Sequence, residues 1–405
     1  MRILYAHNFY RLPGGEDQTF ADEICLMRSR GHDVATFETS SRDQEGRSRL
    51  ALGLEGVWSV RHARAMAERL RAERPDVVHV HNTYPVTSPA LFRAIAGEGV
   101  AVVHTLHNFR ILCSHYGLTR DGRPCEDCVG AVTPWRGVVR GCNQNGRLAD
   151  AQIAVAVLVH RAARTWTRAI DRYVALTPFA RDIFVRGGLP ADRMAVLPTF
   201  VDPDPGTGPG DGGFALFVGR LAPEKGVRVL LDAWRTVGAR MPLHIVGSGG
   251  PLAPEAAAAD GAIPGVRFRG RVERDELTGL MRRAAVLVFP STWYEGTPRT
   301  IVEAFAAGTP VLASDIGSMR SMVEPEVNGQ WFRAGDPADL ARVVTALAAA
   351  PDRLAALRGG ARRSFETLYT AERHYAGLEA IYRAAIARRA GESARLPGAA
   401  QEARP

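Results

Sequence analysis

Short apolar runs of strand length recur along this chain, each followed by a loop and a helical segment, and the pattern is plainest over residues 284–313. Residues 284–290 (A-A-V-L-V-F-P) and 309–313 are runs of the kind that form strands buried on both faces of a parallel sheet. Between them Thr297 is placed to cap a helix, Pro298 suits its first turn, and Gly308 stands where helices end. Glu295 then falls in a loop at the carboxyl end of a strand, where open parallel sheets bind ligands. Glu303 falls about one and a half turns into the helix. The backbone N–H groups of Thr297, Arg299 and Thr300 are expected to face outward at the positive helix end, a seat for a phosphate. Two carboxylates beside such a seat suit an anion that also carries hydroxyls, as a nucleotide sugar does.

The same reading runs through both halves. Strands are expected at 2–6, 34–37, 76–80, 101–105, 173–176 and 194–197, and again at 214–218, 243–246, 266–268 and 286–289. Helices are expected at about 16–30, 57–73, 150–170 and 336–350, with the last ones ending near 389. Between the halves, residues 202–213 (D-P-D-P-G-T-G-P-G-D-G-G) have the Pro/Gly density of a linker. The expected division is therefore a first α/β domain over 1–202, a linker over 203–213, a second α/β domain over 214–389, and a disordered tail over 390–405. Asp202-Pro-Asp204 matches a D-x-D metal motif, but its place in the linker marks that match as accidental.

Three strands of the first half end in or near His-Asn: His7-Asn8, His81-Asn82 and His107-Asn108. At one end of one parallel sheet they would line a crevice with polar groups. A catalytic metal on these histidines lacks an evident carboxylate, so hydrogen bonding to sugar hydroxyls is the expected role. Gly14-Gly15, in the loop after the first strand, lets backbone approach whatever sits there. Cys113, Cys125, Cys128 and Cys142 fall as C-x11-C-x2-C-x13-C within a segment, 113–142, that interrupts the pattern. That spacing fits a structural zinc, and unligated thiols are the alternative.

Apolar residues at 46% and charged ones at 23% describe an ordinary globular protein of two or three domains. No run approaches the ~18 apolar residues of a membrane span, and no leader segment opens the sequence; a cytoplasmic protein is expected, which argues against disulfides. The net charge of +8 is compatible with nucleic acid, anionic membrane or phosphorylated substrates and selects none. Arg61, Arg64 and Arg71 on the helix expected at 57–73 read as a solvated face, with weak membrane contact as the alternative. Of 51 Lys and Arg residues Lys225 alone is lysine. An arginine bias that stops at one position suggests a need there for a compact ammonium.

Glu295 and Glu303, with seven residues between, resemble the E-x7-E motif of the family 4 retaining glycosyltransferases. Gly219-Arg220-Leu221-Ala222-Pro223-Glu224-Lys225-Gly226 resembles the G-R-L-x-x-x-K-G loop of the same family. The resemblance covers roughly residues 2–385. It implies the GT-B fold: two Rossmann-like domains facing each other across a cleft, with the donor on the second. It further implies that Glu303 binds the donor ribose, that Arg220 and Lys225 hold the diphosphate beside Thr297, Arg299 and Thr300, and that Glu295 approaches the donor sugar. His107 and the Gly15 backbone reach that sugar from the first domain. His7, Asn8, His81, Asn82 and Asn108 are implied on the acceptor side. No cofactor is implied for catalysis; the donor is a UDP-sugar in preference to a GDP-sugar, and the acceptor is a glycan, lipid-linked or small molecule. The cysteines (H-N-x-R-x-x-C … G-x-x-C-x-x-C) resemble a subset that builds cell-surface polysaccharides. At 199–202 this chain departs from the family's Asn-Gly, which leaves interdomain contacts there unspecified. Two competing readings are a GT-B-like nucleotide-sugar epimerase, which would need no acceptor, and a zinc-containing nucleic-acid-binding protein, against which the Glu and Arg/Lys constellation argues.

Overall fold

The structure is a computed structural model that describes residues 1–11, 14–44 and 46–394. Its strands, in chain order, are β1 (Arg2–Phe9), β2 (Asp33–Ser40), β3 (Val77–Val80), β4 (Ala101–Leu106), β5 (Thr119–Arg120), β6 (Arg123–Pro124), β7 (Arg172–Ala175) and β8 (Met194–Val196). In the second half follow β9 (Ala215–Val218), β10 (Leu243–Val246), β11 (Val266–Gly270), β12 (Val286–Phe289), β13 (Val311–Ser314) and β14 (Gly329–Phe332). They form two six-stranded sheets, ordered β2-β1-β3-β4-β7-β8 and β11-β10-β9-β12-β13-β14, and a small hairpin of β5 with β6. All pairings within the two large sheets are parallel. The second sheet has the strand order of the dinucleotide-binding fold; the first has its outer strand exchanged, as in the flavodoxin-like order.

Strands such as β3 (V-V-H-V), β4 (A-V-V-H-T-L) and β12 (V-L-V-F) are buried along their whole length because helices cover both faces. The histidines inside two of these runs must then find partners. His79 does so at Tyr382 Oη (2.8 Å) and Thr105 Oγ1 (2.7 Å), and His104 at the Val80 carbonyl (2.9 Å).

Three expectations are corrected here. Residues before 56, read as a polar loop, contain the helix Arg49–Val57, in which Leu52 and Val57 are half-buried while Leu54 stands exposed. The helix expected over 150–170 is Arg147–Ala162, broken where Arg164 takes a left-handed φ of 54°. The last helix, Ala371–Ala394, does not belong with the second domain. Its Leu378, Ile381, Tyr382 and Ala385 share a core with Ile3, Tyr5, Phe20 and Val103 of the first. It also runs through positions assigned to a tail from 390, and residues 395–405 lie outside the described ones.

The segment 203–213 has no regular structure, yet it is fastened to the second domain. Gly208 N–H donates to the Ala307 carbonyl (2.9 Å), Arg358 donates to the Gly208 carbonyl (2.8 Å), and Asp204 is bridged bidentately by Arg362 (2.7 and 2.6 Å). Asp204 is thereby an ion-pair partner. No described helix is long and apolar enough to cross a membrane.

Candidate active site

In the second sheet the strand order reverses between β9 and β12, so the loops leaving these two strands meet. The β9 loop carries Arg220 and Lys225; the β12 loop carries Glu295. Lys225 Nζ donates to Glu295 Oε1 at 2.7 Å, and the same oxygen accepts from Ser291 Oγ (2.7 Å) and Trp293 Nε1 (2.8 Å). Burial pushes the Glu295 carboxyl up, but the Lys225 charge and the three donors outweigh it and hold the group below the usual carboxylate range. Glu295 is therefore a buried carboxylate with one oxygen fully engaged. Thr292 N–H donates to the Glu224 carbonyl (2.9 Å), and Arg220 is bridged to the Glu224 side chain. Gly226 has φ 72°, and a Cβ there would stand 1.8 Å from the Pro290 carbonyl oxygen, so the two loops can close only over a glycine.

The helix after Glu295 is Arg299–Ala306, with Pro298 at the N-cap. This corrects the expected cap. Thr297 does not cap the helix; its Oγ1 is buried without a hydrogen-bond partner, and Pro298 stands before the first turn. Arg299 N–H folds back to the Thr297 carbonyl (3.0 Å), so it is not a free donor at the helix end. Thr300 is half-buried in the first turn. Arg299 Nε donates to Glu303 Oε1 (3.1 Å), while burial pushes the Glu303 carboxyl up against the pull of that guanidinium. Across the cleft, Arg299 Nη2 lies 2.6 Å from Asp22 Oδ2, close but without hydrogen-bond alignment.

In the first sheet the reversal falls between β1 and β3, with β4 next in order. Register pairs Ala6 with Val80 and Val80 with His104, which sets the ends carrying His7, His81 and His107 side by side. His81 Nδ1 and His107 Nε2 are 2.9 Å apart, and His7 Nε2 meets Asp17 Oδ1 at 2.7 Å. Burial lowers the pKa of both His81 and His107, leaving them neutral imidazoles. The asparagines serve the scaffold. Asn82 Nδ2 donates to the Asn8 carbonyl and Asn8 Nδ2 to the Tyr84 carbonyl (2.8 Å each), while Asn108 Nδ2 reaches Glu16 Oε2 (3.5 Å). Gly15 opens the helix Gly15–Ser29, exposed.

Two features here were given no role in the sequence reading. Glu23, on the buried face of the first helix, supplies the carboxylate thought to be missing: its Oε2 lies 3.2 Å from His81 Nε2 and 3.4 Å from His79 Nδ1, and its Oε1 lies 3.2 Å from His374 Nε2. Burial pushes this carboxyl up, yet the imidazoles around it prevail and hold it well down. A glutamate amid the apolar positions Phe20, Ile24 and Met27 was the available signal. The second is Arg110, whose guanidinium lies 3.9 Å from the Tyr84 ring centre. It borders a cavity of about 70 Å³ together with His81, His107, Ile153, Val157 and Trp166.

The halves touch at the site. A Cβ on Gly296 would stand 2.3 Å from the His107 carbonyl oxygen, which brings Glu295 and His107 to the same point of the cleft. Ser318 Oγ donates to the Glu295 carbonyl (2.7 Å) and meets Thr177 Oγ1 of the first domain (3.0 Å). Trp293 packs edge-on against Tyr116, with ring centres 6.1 Å apart, and Tyr294 against Phe179 at 4.7 Å. The cysteine-bearing segment thus abuts the Glu295 loop.

Burial raises the Cys113 thiol to about 11 and also pushes up those of Cys128 and Cys142, each further raised by neighbouring cysteines. The four thiols suit zinc chemically. Among the described residues, however, the group of three such ligand atoms within 4.8 Å of one another is Glu23, His79 and His81, and the sulfurs are not gathered so closely. The expected tetrahedral set is not assembled in this structure.

The family model described as Glycosyltransferase Family 4 matches residues 13–205, and that described as Glycosyl transferases group 1 matches residues 213–350. A phosphatidyl-myo-inositol mannosyltransferase of Mycobacterium leprae is 29% identical over 84% of this chain and 84% of its own. A D-inositol 3-phosphate glycosyltransferase of Xylanimonas cellulosilytica is 30% identical over 71% of this chain and 67% of its own. In fold, the chain is similar to Anabaena HepE in complex with UDP, with a TM-score of 0.65 at 16% identity over 98% of this chain and 100% of that one. The epimerase and nucleic-acid readings gain no support from these relations. With two facing parallel-sheet domains, a cleft between their strand ends and relatives along both halves, the chain belongs to glycosyltransferase family 4 and is a GT-B hexosyltransferase that takes its sugar from a nucleotide donor.

Proposed function

We propose that the enzyme transfers a hexose, with retention, from a UDP-sugar to a lipid-linked or glycan acceptor of cell-surface glycoconjugates, in the cytoplasm at the inner face of the membrane. The observation that carries this reading is the ion pair of half-buried Lys225 with buried Glu295, set against the His107 carbonyl at the interdomain cleft. Lys225 and Arg220 hold the donor diphosphate beside Thr297, Arg299 and Thr300; Glu303 accepts from the ribose hydroxyls, and the Gly15 backbone reaches the donor sugar from the first domain. Glu295, kept ionised, orients the donor sugar beside His107. His7, Asn8, His81, Asn82 and Asn108 shape the acceptor side, the asparagines through the loops they fasten. Charge develops on the leaving diphosphate, so positive charge fixed beforehand lowers the barrier, and the diphosphate takes the acceptor proton on the same face. The UDP complex of the HepE structure supports the choice of base, and the mannosyltransferase relative supports a lipid-linked acceptor.

A thermal-shift screen of the full chain against UDP-, GDP- and ADP-sugars tests the donor, since a ligand that binds only the folded state raises the melting temperature. A UDP-sugar should give the largest shift; a GDP-sugar doing so would overturn the base assignment, and no shift with any would overturn the donor site. Cys113, Cys125, Cys128 and Cys142 are proposed to hold a structural zinc, which requires their sulfurs to close together. Elemental analysis should find about one zinc per chain, lost in Cys125→Ser/Cys128→Ser; metal-free wild-type protein with the same melting temperature would remove the claim.

A further inference from the structure

Of the twelve exposed large apolar side chains among the described residues, nine fall within 54–60 and 132–158, in the first domain. Those segments form one region: the helices Arg49–Val57 and Trp135–Arg140 both pack against Arg147–Ala162. Leu148, Val155 and Leu158 fall on one outward face of that central helix, and Leu54, Trp135 and Val139 are exposed on its two neighbours. The opposite face of the same helix is also apolar, with Ile153, Ala154 and Val157 buried. A helix apolar on both faces is ordinarily covered on both. None of the described residues covers the outward face of this one.

The charge around the patch says what does. Residues 132–162 carry Arg136, Arg140, Arg147 and Arg161 against one acid, Asp150, which is fully buried. Arg136, Arg140 and Arg147 are exposed; Arg140 is bridged to Asp127, and the Arg136 guanidinium lies 5.4 Å from the Trp135 ring centre. Arg61 and Arg64, exposed on the helix Val60–Glu73, extend the basic rim. An apolar face with tryptophan at its border and arginine around it has the chemistry of an anionic bilayer's headgroup region. A second copy of the chain would set arginine against arginine. We infer that this three-helix face docks the enzyme on an anionic lipid surface. The inference deepens the lipid-linked acceptor reading and rests on it. Gln152, Ile153, Ala156 and Val157, on the inner side of the same helix, line the cavity that His81 and His107 border. One helix therefore has the membrane on one side and the His81–His107 cavity on the other, so docking would place a lipid-borne sugar beside the cleft.

The test is flotation of the full chain with phosphatidylglycerol-rich and with pure phosphatidylcholine vesicles, at low and high salt. The protein should float with the anionic vesicles, less so at high salt, and stay behind with the zwitterionic ones. Leu148→Ser/Val155→Ser/Leu158→Ser should cut partitioning by about tenfold or more. Arg136→Gln/Arg147→Gln should remove most of its salt dependence. Both variants should keep the wild-type melting shift with donor, which shows that they are folded and separates this claim from the donor reading: loss of the shift in wild type sinks the latter alone. No flotation, equal flotation on both vesicle types, or a wild-type dimer by light scattering that the triple serine variant converts to monomer would overturn the docking assignment.

Discussion

At the residue scale the proposed site turns on Lys225. It is the chain's single lysine, and the structure gives it a partner that spacing alone could not, because Glu295 lies seventy positions on and reaches it only through the reversal of strand order at β9 and β12. The motifs made Arg220, Lys225, Glu295 and Glu303 legible as candidates. Their mutual contacts were not, nor was the pairing of Arg299 with both Glu303 and Asp22. If Lys225 neutralises charge that grows on the departing diphosphate, its loss acts more in the transition state than in donor binding. Lys225→Ala should lower kcat by roughly a hundred- to a thousandfold, about 3–4 kcal/mol, with a smaller change in donor KM. It also leaves Glu295 buried without its counter-charge, so the variant's melting temperature must be read alongside. Lys225→Arg keeps the charge but brings a wide planar fork into a seat bounded by Phe289 and Trp293, and it should restore only part of the rate. Wild-type kcat in the arginine variant would make the lone lysine an accident of composition. Wild-type kcat in Lys225→Ala would remove it from the site.

At the scale of elements, the helix Ala371–Ala394 was legible as a helix and misplaced as to domain, since an apolar stripe does not say which sheet it will cover. The polar residues on it carry that information. Tyr382 Oη donates to Tyr5 Oη (2.8 Å) and meets His79 Nδ1 (2.8 Å), His374 Nε2 stands at Glu23, and Arg389 bridges Asp171 (2.8 Å). These contacts join the end of the chain to β1, β3 and the first helix beneath the His81–His107 pair. Tyr382→Phe removes one hydroxyl at no cost in shape and leaves two buried polar groups short of a partner. It should destabilise the protein by about 1–3 kcal/mol, visible as a lower urea midpoint with unchanged slope. An unchanged midpoint would mean that the helix is held by its apolar face alone. The His-Asn strand ends were likewise legible in sequence, and parallel register made them neighbours. Their polar partners were not legible, because Glu23 comes from a helix surface and His374 from the far end of the chain.

At the scale of the whole molecule, the first domain holds imidazoles in its interior, and this fixes how the protein answers acid. Burial lowers His104 and His160 to about 4, with the Val80 and Val57 carbonyls pulling the other way, and it depresses His79, His81 and His107 as well. An unfolded histidine titrates near 6.5. Below that pH the unfolded chain takes up protons that the folded one refuses, so stability is greatest above about pH 6.5 and falls as pH drops toward the folded values. Each such group removes up to about 1.4 kcal/mol per pH unit in that window. Glu23 and Glu295, held low, give stability that is lost only as pH falls below the ordinary carboxylate range, so they do not offset the loss between pH 7 and 5. Glu16 and Glu303, pushed up by burial, act in the opposite sense, but they are two carboxyls against five imidazoles. The melting temperature should therefore change little from pH 7.5 to 6.5 and fall increasingly from 6.5 to 5.5 in buffers of equal ionic strength. His104→Asn, which keeps a donor toward the Val80 carbonyl without a titrating ring, should flatten that fall by one group's share. A melting temperature independent of pH over this range would show that these histidines are not held neutral by the fold.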